Sequence, residues 1–303
     1  MTVRISVSVR SAGGITGSRE GARRLVAQAA AARRAGLEAL FVGDHHVPGV
    51  PYYQNTPLLG RLLAEWGDRP AGALYLLPLW HPVLLAEQVA TLASIASGPF
   101  VLQCAIGAGE AQFAAMGADL RRRSRVFGPT LEIVRRLLAG EAVDADEPVR
   151  VRGARLALLP PEPVPVWVAA RAPAAVERAA RLGDGWIAHP GLAPKAVPAQ
   201  LSRYVDACTA HGRPPGVMAI RRDVHVGADR ADARRVADPI LAAGYRGFPE
   251  DAAIVGGPSE VADAFAELGE AGFTVVIVRH LADDHHDVLA SFERLAMARE
   301  LVT

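Results

Sequence analysis

ALFVGDHHVP, residues 39–48, is the stretch that decides the fold. Its first four residues are apolar without alternation, which is typical of a strand covered on both faces in a parallel sheet. A carboxylate and two imidazoles, Asp44, His45 and His46, follow the strand. Parallel sheets and barrels bind ligands at the carboxyl ends of their strands, so these three residues are candidates for a site. From this stretch alone, histidines that only face solvent remain the alternative.

Strand and helix patterns alternate along the rest of the chain, as in α/β proteins. The predicted strands are Val3–Val9, Ala39–Gly43, Ala71–Leu77, Phe100–Ile106, Val164–Ala169, Gly185–Ala188, Val217–Val226 and Thr274–Arg279. The predicted helices are Arg19–Ala35, Pro57–Trp66, Pro82–Ser97, Arg121–Leu138, Pro173–Leu182, Lys195–His211, Arg230–Ala243, Pro258–Ala271 and Asp287–Leu301. Eight strands, almost all separated by helices, predict a single (β/α)8 TIM-barrel domain over residues 1–303 with insertions after the strands.

A doubly wound open sheet is the alternative architecture. That fold usually carries G-x-G-x-x-G after its first strand, whereas Ser11-Ala12-Gly13-Gly14 follows the first strand here. We expect Gly13-Gly14 to end that strand. The Pro-rich and charged stretch Glu141–Pro163 predicts hairpin-like pieces rather than a linker between domains.

Composition narrows the classes of function. The 33 Lys and Arg residues nearly balance the 32 Asp and Glu residues, and the net charge of +1 argues against a nucleic-acid or membrane-surface protein. Two cysteines form no disulfide framework, which favours the reducing cytoplasm. The amino terminus has a strand pattern rather than that of a signal peptide, and no apolar run has transmembrane length.

Polar and ionisable residues follow most of the predicted strands, while the strands themselves are apolar. A barrel would direct all of these residues toward one mouth, as expected for an active site. They are Arg10, Asp44-His45-His46, Trp80-His81, Gly107-Ala108-Gly109-Glu110, Ala170-Arg171-Ala172, His189, Arg221-Arg222 and Arg279-His280.

A metal centre is one interpretation of this set, with Asp44 and four histidines as ligands. Adjacent residues of an extended strand point to opposite sides, so His45 and His46 would diverge. The chain has no H-E-x-x-H motif and no cysteine pair with ligand spacing. We therefore expect no catalytic metal.

A cofactor with a phosphate tail is the second interpretation. Ala170-Arg171-Ala172-Pro173 reads as a strand end, a small-residue turn and a helix that opens with proline. Exposed N–H groups at such a helix start bind anions, and Arg171 adds a fork of donors. An ordinary β–α turn is the alternative. The glycines of Gly107-Ala108-Gly109 likewise permit close approach to the backbone, or only a tight turn.

Three blocks in order resemble the bacterial-luciferase-like superfamily of flavin and deazaflavin enzymes. The blocks are FVGDHH (41–46), LYLLPLWHPVLLAEQVATLASIASGPFVLQCAIGAGE (74–110) and PVPVWVAARAPAAVERAARLGDGWIAH (163–189). The resemblance implies a TIM barrel with a flavin-type ring at its mouth. His45 and Glu110 match the histidine and the acidic proton donor or acceptor of F420-dependent dehydrogenases, which favours coenzyme F420 over FMN and makes both residues catalytic candidates.

The resemblance also assigns the remaining site residues. It implies that Asp44 and Ala108-Gly109 contact the ring or its side chain, and that Ala170, Arg171 and Ala172 hold the phosphate. It implies a non-prolyl cis peptide within Ala73-Leu74-Tyr75 that backs the ring. The candidates for substrate contacts are Trp80, His81, His189, Arg279 and His280, with core roles as the alternative for His189 and His280.

The function expected from these assignments is hydride transfer between F420 and a C=C, C=N or C=O group of a small organic substrate, with secondary metabolism as the suggested setting. Sugar-phosphate dehydrogenases of the family carry a tryptophan where Val47-Pro48-Gly49 stands, and an acidic residue where Ser11-Ala12-Gly13 stands, which argues against a sugar phosphate. The alternatives are an FMN-dependent monooxygenase that uses O2 and a non-enzymatic flavin-binding barrel. The family implies a homodimer.

Overall fold

The computed structural model describes residues 3–12 and 17–302. Eleven strands form in this part of the chain, and those of the barrel are mainly apolar. In chain order the strands are β1 Arg4–Val9, β2 Leu40–Val42, β3 Ala71–Leu76, β4 Phe100–Ala105, β5 Val143–Ala145, β6 Val151–Ala154, β7 Val166–Ala170, β8 Gly185–Ala188, β9 Val217–Val226, β10 Ile254–Gly256 and β11 Val275–His280.

Helices separate most of these strands, and five single 3-10 turns accompany them at Leu77–Leu79, Leu120–Arg122, Pro194–Ala196, Tyr245–Gly247 and Glu250–Ala252. In the described ranges the helices are α1 Ser18–Arg34, α2 Asn55–Trp66, α3 Pro82–Ile95, α4 Glu110–Ala115, α5 Arg123–Leu138, α6 Pro173–Leu182, α7 Val197–Ala210, α8 Arg230–Ala242, α9 Pro258–Ala271 and α10 His285–Val302.

Eight parallel strands close into a barrel. Their order around it is β1, β2, β3, β4, β7, β8, β9 and β11, and β11 pairs again with β1. The strands are parallel because each connection between them crosses back along the outside through at least one helix. The predicted (β/α)8 TIM barrel is therefore confirmed.

Two pairings lie outside the barrel. β5 and β6 form an antiparallel hairpin inside the stretch for which hairpin-like pieces were predicted. β9 is ten residues long, and its far end, Val224–Val226, pairs with β10. β10 and α4 escaped sequence analysis because each is short, three and six residues respectively. Gly13-Gly14, expected to end the first strand, lies outside the described residues.

One expectation about the backbone is wrong. Among the described residues the cis peptide bond is Glu147–Pro148, so Ala73-Leu74-Tyr75 contains none. β3 pairs continuously with β4 from Ala71 to Leu76 in regular parallel register, and the trans backbone of an ordinary strand satisfies that pairing.

The apolar core has two main parts, beside a small third cluster around Leu241 and Leu281. One large cluster of buried aliphatic and aromatic side chains fills the space between strands and helices. A smaller cluster plugs the inside of the barrel, where the rings of Phe41 and Trp167 lie 5.5 Å apart. Gly72 lies beside Phe41, and a Cβ at this position would stand 2.2 Å from the carbonyl oxygen of Val101. The plug leaves the carboxyl end of the barrel free for a cavity.

Both cysteines are free and buried, with Cys104 on β4 and Cys208 on α7. Burial raises the pKa of the Cys104 thiol. Across residues 3–12 and 17–302, no helix combines the length and hydropathy that crossing a membrane requires.

Candidate active site

A cavity of about 610 Å³ opens at the carboxyl ends of the barrel strands. The structure brings eight of the predicted site residues to its wall. They are Asp44, His45, Leu74, Ala108, Ala170, Arg171, His189 and Arg279. These residues follow strands on different sides of the barrel. They lie at one cavity because the sheet closes into a barrel, as predicted.

The alternation of side chains along a strand removes three of the other candidates from the cavity. Leu74 and Leu76 of β3 face inward, whereas Ala73 and Tyr75 are buried on the outer side. On β11, Arg279 faces the cavity and His280 packs behind the wall against Phe292, with ring centroids 4.2 Å apart. The predicted substrate contact of His280 is corrected accordingly, because adjacent residues of a strand face opposite sides.

Loops and helix starts carry the remaining candidates away from the wall. After β3 a 3-10 turn places Trp80 behind Asp44, and the exposed His81 precedes α3. Gly109 and Ala172 adjoin wall residues without lining the cavity. Glu110 is exposed as the first residue of α4, outside the wall, where a carboxylate also stabilises the helix dipole.

The Asp44 carboxylate is buried and held from three sides. The backbone N–H of Leu76 and the indole Nε1 of Trp80 each donate to Oδ2 over 2.8 Å. The Nε2 of His46 lies 3.3 Å from Oδ1. The side chain is fully shielded from solvent, so Asp44 contributes its backbone to the cavity wall while its charge ties together the ends of β2 and β3.

His45 and His46 diverge as expected for adjacent residues. His46 turns toward Trp80, whereas the ring of His45 lies 5.9 Å from the ring of Tyr52 at the cavity wall. Partial burial lowers the pKa of His45, and this outweighs the opposite influence of Asp44. The His45 imidazole is therefore neutral near pH 7 and able to accept a proton.

His189 occupies the opposite side of the cavity. Burial, with nearby arginines, lowers its pKa to about 4. Its Nδ1 accepts a hydrogen bond from the backbone N–H of Gly191 over 3.1 Å, so the neutral ring carries its proton on Nε2. Phe248 packs edge-on against the ring, with 5.2 Å between centroids. His189 is thus a fixed, neutral hydrogen-bonding group.

Gln112, on α4, was not predicted as a site residue. Its Oε1 accepts from the backbone N–H of His46 over 2.7 Å, and its Nε2 donates to the carbonyl of Ala108 over 2.8 Å. The amide therefore joins the loops that follow β2 and β4. Nothing in the sequence pattern distinguishes this glutamine from a surface residue, because its role depends on a contact 66 residues away.

Five arginines line the cavity: Arg10, Arg171, Arg221, Arg246 and Arg279. The sequence places Arg221 at a strand end without indicating a role for it, and it does not indicate Arg246 as a site residue. Arg246 has a φ of +51° in the Tyr245–Gly247 turn, and its guanidinium lies 5.1 Å from the Phe248 ring centre. The turn reaches the mouth because α8 and β10 extend from the long strand β9. The sequence pattern does not indicate β10, which has only three residues, or the segment that precedes it.

Arg171 ends the turn before α6. Its backbone carbonyl accepts from Gln200 over 2.8 Å, which fixes the turn. Ala172 precedes α6, Pro173 is the first helical residue, and no side chain caps the helix. An exposed guanidinium next to an uncapped helix start is suited to an anion. Within the described ranges, no three His, Cys, Asp or Glu side chains are grouped to hold a metal.

Residues 1–250 match the model of the luciferase-like monooxygenase family, and the chain belongs to that family. A monooxygenase from Streptomyces bottropensis has the same fold, with a TM-score of 0.84, 21% identity and coverage of 97% of this chain and 98% of that one. An F420-dependent secondary alcohol dehydrogenase, solved with an F420–acetone adduct, gives a TM-score of 0.80 at 16% identity, with coverage of 97% and 98%.

Curated relatives share a higher sequence identity with this chain, over a shorter part of it. The F420-dependent glucose-6-phosphate dehydrogenase of Beutenbergia cavernae is 33% identical over 180 residues, which cover 56% of this chain and 53% of that protein. The F420-dependent hydroxymycolic acid dehydrogenase of Mycobacterium tuberculosis is 30% identical over 225 residues, covering 70% and 61%. The chain thus spans little more than half the length of the curated relatives it matches.

Proposed function

We propose that this protein is an F420-dependent oxidoreductase that transfers a hydride between the deazaflavin and a C=C, C=N or C=O group of a small organic molecule. The observation that carries the proposal is His45, a neutral imidazole at the wall of a cavity large enough for a ring system and a substrate. The curated relatives named above, all F420-dependent dehydrogenases, support the choice of cofactor.

The cavity wall fits such a cofactor. Leu74, Leu76 and Ile106 offer apolar surface to a planar ring. The side-chain amide of Gln103, which lines the cavity, has a buried Nε2 without a hydrogen-bond acceptor, and a ring carbonyl would satisfy it. Arg171 and the start of α6 would hold the phosphate. When bound, F420 supplies or accepts the hydride.

His45 would handle the proton that accompanies the hydride. A neutral imidazole takes a proton from an alcohol or amine substrate during oxidation, and the protonated ring returns it during reduction. Tyr52 limits movement of the His45 ring. Burial raises the pKa of Tyr52 to about 12, so its hydroxyl stays protonated and donates a hydrogen bond to substrate oxygen rather than acting as a base.

Binding titrations of the purified protein with F420 and with FMN, followed by fluorescence, test the cofactor. We expect micromolar or tighter F420 binding and weaker FMN binding. A preference for FMN would contradict the proposal and favour the FMN-dependent monooxygenase that uses O2, the alternative that agrees with the family model and with several structural neighbours. Cofactor binding without turnover would favour a non-enzymatic flavin-binding barrel.

Replacing His45 separates chemistry from binding. We expect His45→Ala to lower turnover about 10²–10⁴-fold, the usual contribution of general acid–base catalysis, while F420 still binds. Glu110→Gln is the matched comparison, because Glu110 matches the family's acidic group but is exposed outside the cavity wall. Steady-state kinetics of both variants at several pH values show whether His45 or Glu110 transfers the proton. Unchanged turnover in His45→Ala would contradict the assignment of His45.

Three expectations stay predictions: a role in secondary metabolism, localisation in the cytoplasm and assembly as a homodimer. Exposed apolar side chains on α3, Leu84 and Ile95, support a subunit interface there. Light scattering on the purified protein measures the oligomeric state directly, and a monomer at all concentrations would contradict the dimer.

A further inference from the structure

We propose that the substrate is a carboxylate with an apolar or aromatic body, and that Arg279 and Arg221 bind its anionic group. The inference rests on the proposed function, since it assigns one side of the same cavity to the substrate. It concerns β9 and β11, whereas the phosphate-binding turn lies at the end of β7.

Arg221 and Arg279 belong to neighbouring strands. In the parallel register Ile277 pairs with Arg221 and Arg279 pairs with Asp223, and both arginines face the cavity. The Arg221 guanidinium donates to Asp223 over 3.1 Å. Within the described residues no carboxylate pairs with Arg279, and the Nε donors of both arginines lack acceptors. Of these two partly buried cations, only Arg221 therefore has a carboxylate partner.

The rest of the cavity does not neutralise this pair. Arg10 is already paired with Asp283 at 2.6 Å. Asp44, the only carboxylate that lines the cavity among the described residues, turns its charge toward Leu76 and Trp80. Burial, with Arg221 and Arg246 nearby, lowers the pKa of Arg279 to about 10, which still leaves it charged at neutral pH.

A cluster of partly buried cations without counter-charges destabilises the folded protein when no ligand is bound. Such a cluster persists where a ligand provides the missing negative charge, and perturbed ionisable groups in a cleft are typical of functional sites. A carboxylate would accept hydrogen bonds from both guanidinium forks, which are charge-assisted and geometrically specific. The cavity therefore offers an anion site distinct from the one at Arg171.

The remaining wall indicates the body of the substrate. Pro48, Val50, Tyr52, Phe248 and Ile277 line the cavity. Carboxylates and side-chain amides that could hold several sugar hydroxyls are scarce: apart from Asp44, Gln103 is the one such residue on the described wall. An aromatic or aliphatic acid matches this surface better than a sugar phosphate, because each unsatisfied hydroxyl would lose its hydrogen bonds to water.

Calorimetric titration with benzoate, phenyl phosphate and benzyl alcohol tests the anion site, both on the F420-loaded protein and on the protein without cofactor. Arg279→Gln is the test variant and Arg171→Gln the matched control, since each removes one cavity arginine. F420 affinity is measured for both variants. We expect Arg279→Gln to weaken benzoate binding about ten-fold or more and to leave F420 affinity unchanged. Arg171→Gln should weaken F420 binding and leave benzoate affinity unchanged. Arg279→Lys should recover part of the benzoate affinity.

Benzoate that binds no better than benzyl alcohol, or less tightly than phenyl phosphate, would overturn the carboxylate assignment. Weaker F420 binding by Arg279→Gln would assign these arginines to the cofactor and overturn the inference while the proposed function stands. If wild-type protein binds no F420, the proposed function fails, and Arg279-dependent benzoate binding by the cofactor-free protein still supports the anion site. Native F420 affinity in Arg279→Gln also shows that the variant folds.

Discussion

At the scale of single residues, the Asp44 carboxylate is the main polar link between two strand ends. It accepts hydrogen bonds from the backbone of Leu76 and from Trp80, and it lies beside the His46 ring. The sequence placed Asp44 at the site because it follows a predicted strand. It could not show which way the side chain turns, since that depends on Trp80, 36 residues along the chain.

Removing this carboxylate should destabilise the protein. Asp44→Ala leaves the N–H of Leu76 and the indole N–H of Trp80 without acceptors, and each buried unsatisfied group costs about 1–3 kcal/mol. We therefore expect the free energy of unfolding to fall by at least about 2 kcal/mol in urea denaturation. Trp80→Phe, which removes one donor and keeps a ring beside Tyr75, should cost less. Equal stability of all three proteins would show that the carboxylate has no structural role.

At the scale of the strand, alternation decides which residues reach the cavity. Sequence analysis located β3 and β11 to within a residue or two but not their inward faces. Both are apolar on both sides, because helices cover the barrel outside and side chains fill it inside. Of Arg279 and His280, either could have been the inward residue from the sequence alone. The observed register settles the choice.

Gly72 shows how closely the strands approach inside the barrel. We expect Gly72→Ala to lower the free energy of unfolding by several kcal/mol, because its Cβ would stand 2.2 Å from the Val101 carbonyl and 3.1 Å from the Phe41 ring. Gly60→Ala is the control, since its nearest neighbour atom is 3.9 Å away on Leu92 and alanine favours the α2 helix. Thermal unfolding compares them, and comparable melting temperatures would contradict the close approach.

At the scale of the whole molecule, the eight-strand barrel and most helix positions could be predicted from hydrophobic runs and glycine or proline boundaries. The extension of β9 and the turn around Arg246 could not, because β10 has only three residues and its pairing is entirely tertiary. Predicted site residues that follow strands directly, such as His45 and Arg279, lie at the cavity wall. Predicted site residues on loops that leave the barrel axis do not line the cavity, as His81 shows.

The acid stability of the molecule should depend on His280. Burial, with His225 nearby, lowers the pKa of His280 to about 3, against 6.5 for an unperturbed histidine. Between pH 6.5 and pH 3 the unfolded chain therefore binds a proton at His280 and the folded protein does not. The free energy of unfolding falls by about 1.4 kcal/mol for each unit by which the pH is lowered in this range. His280→Leu should reduce this slope in denaturation measured at pH 7 and pH 5, and the part due to His189 should remain.

The exposed His286, on the same helix α10 that covers His280, provides the control. His286→Gln should retain the wild-type dependence of stability on pH. An unchanged slope in His280→Leu would mean that His280 does not remain neutral in the folded protein.

The two buried thiols can be used to measure local opening of the structure. A thiol reagent reacts with either cysteine only during an opening event, since both are shielded in the folded state. Cys104 belongs to the barrel wall, and Cys208 to α7, whose Tyr204 stacks on Trp186 of β8 with 5.1 Å between ring centroids. Labelling rates for the two cysteines, followed by mass spectrometry, therefore distinguish local opening of the barrel strands from separation of α7 from the barrel. No engineered label is needed.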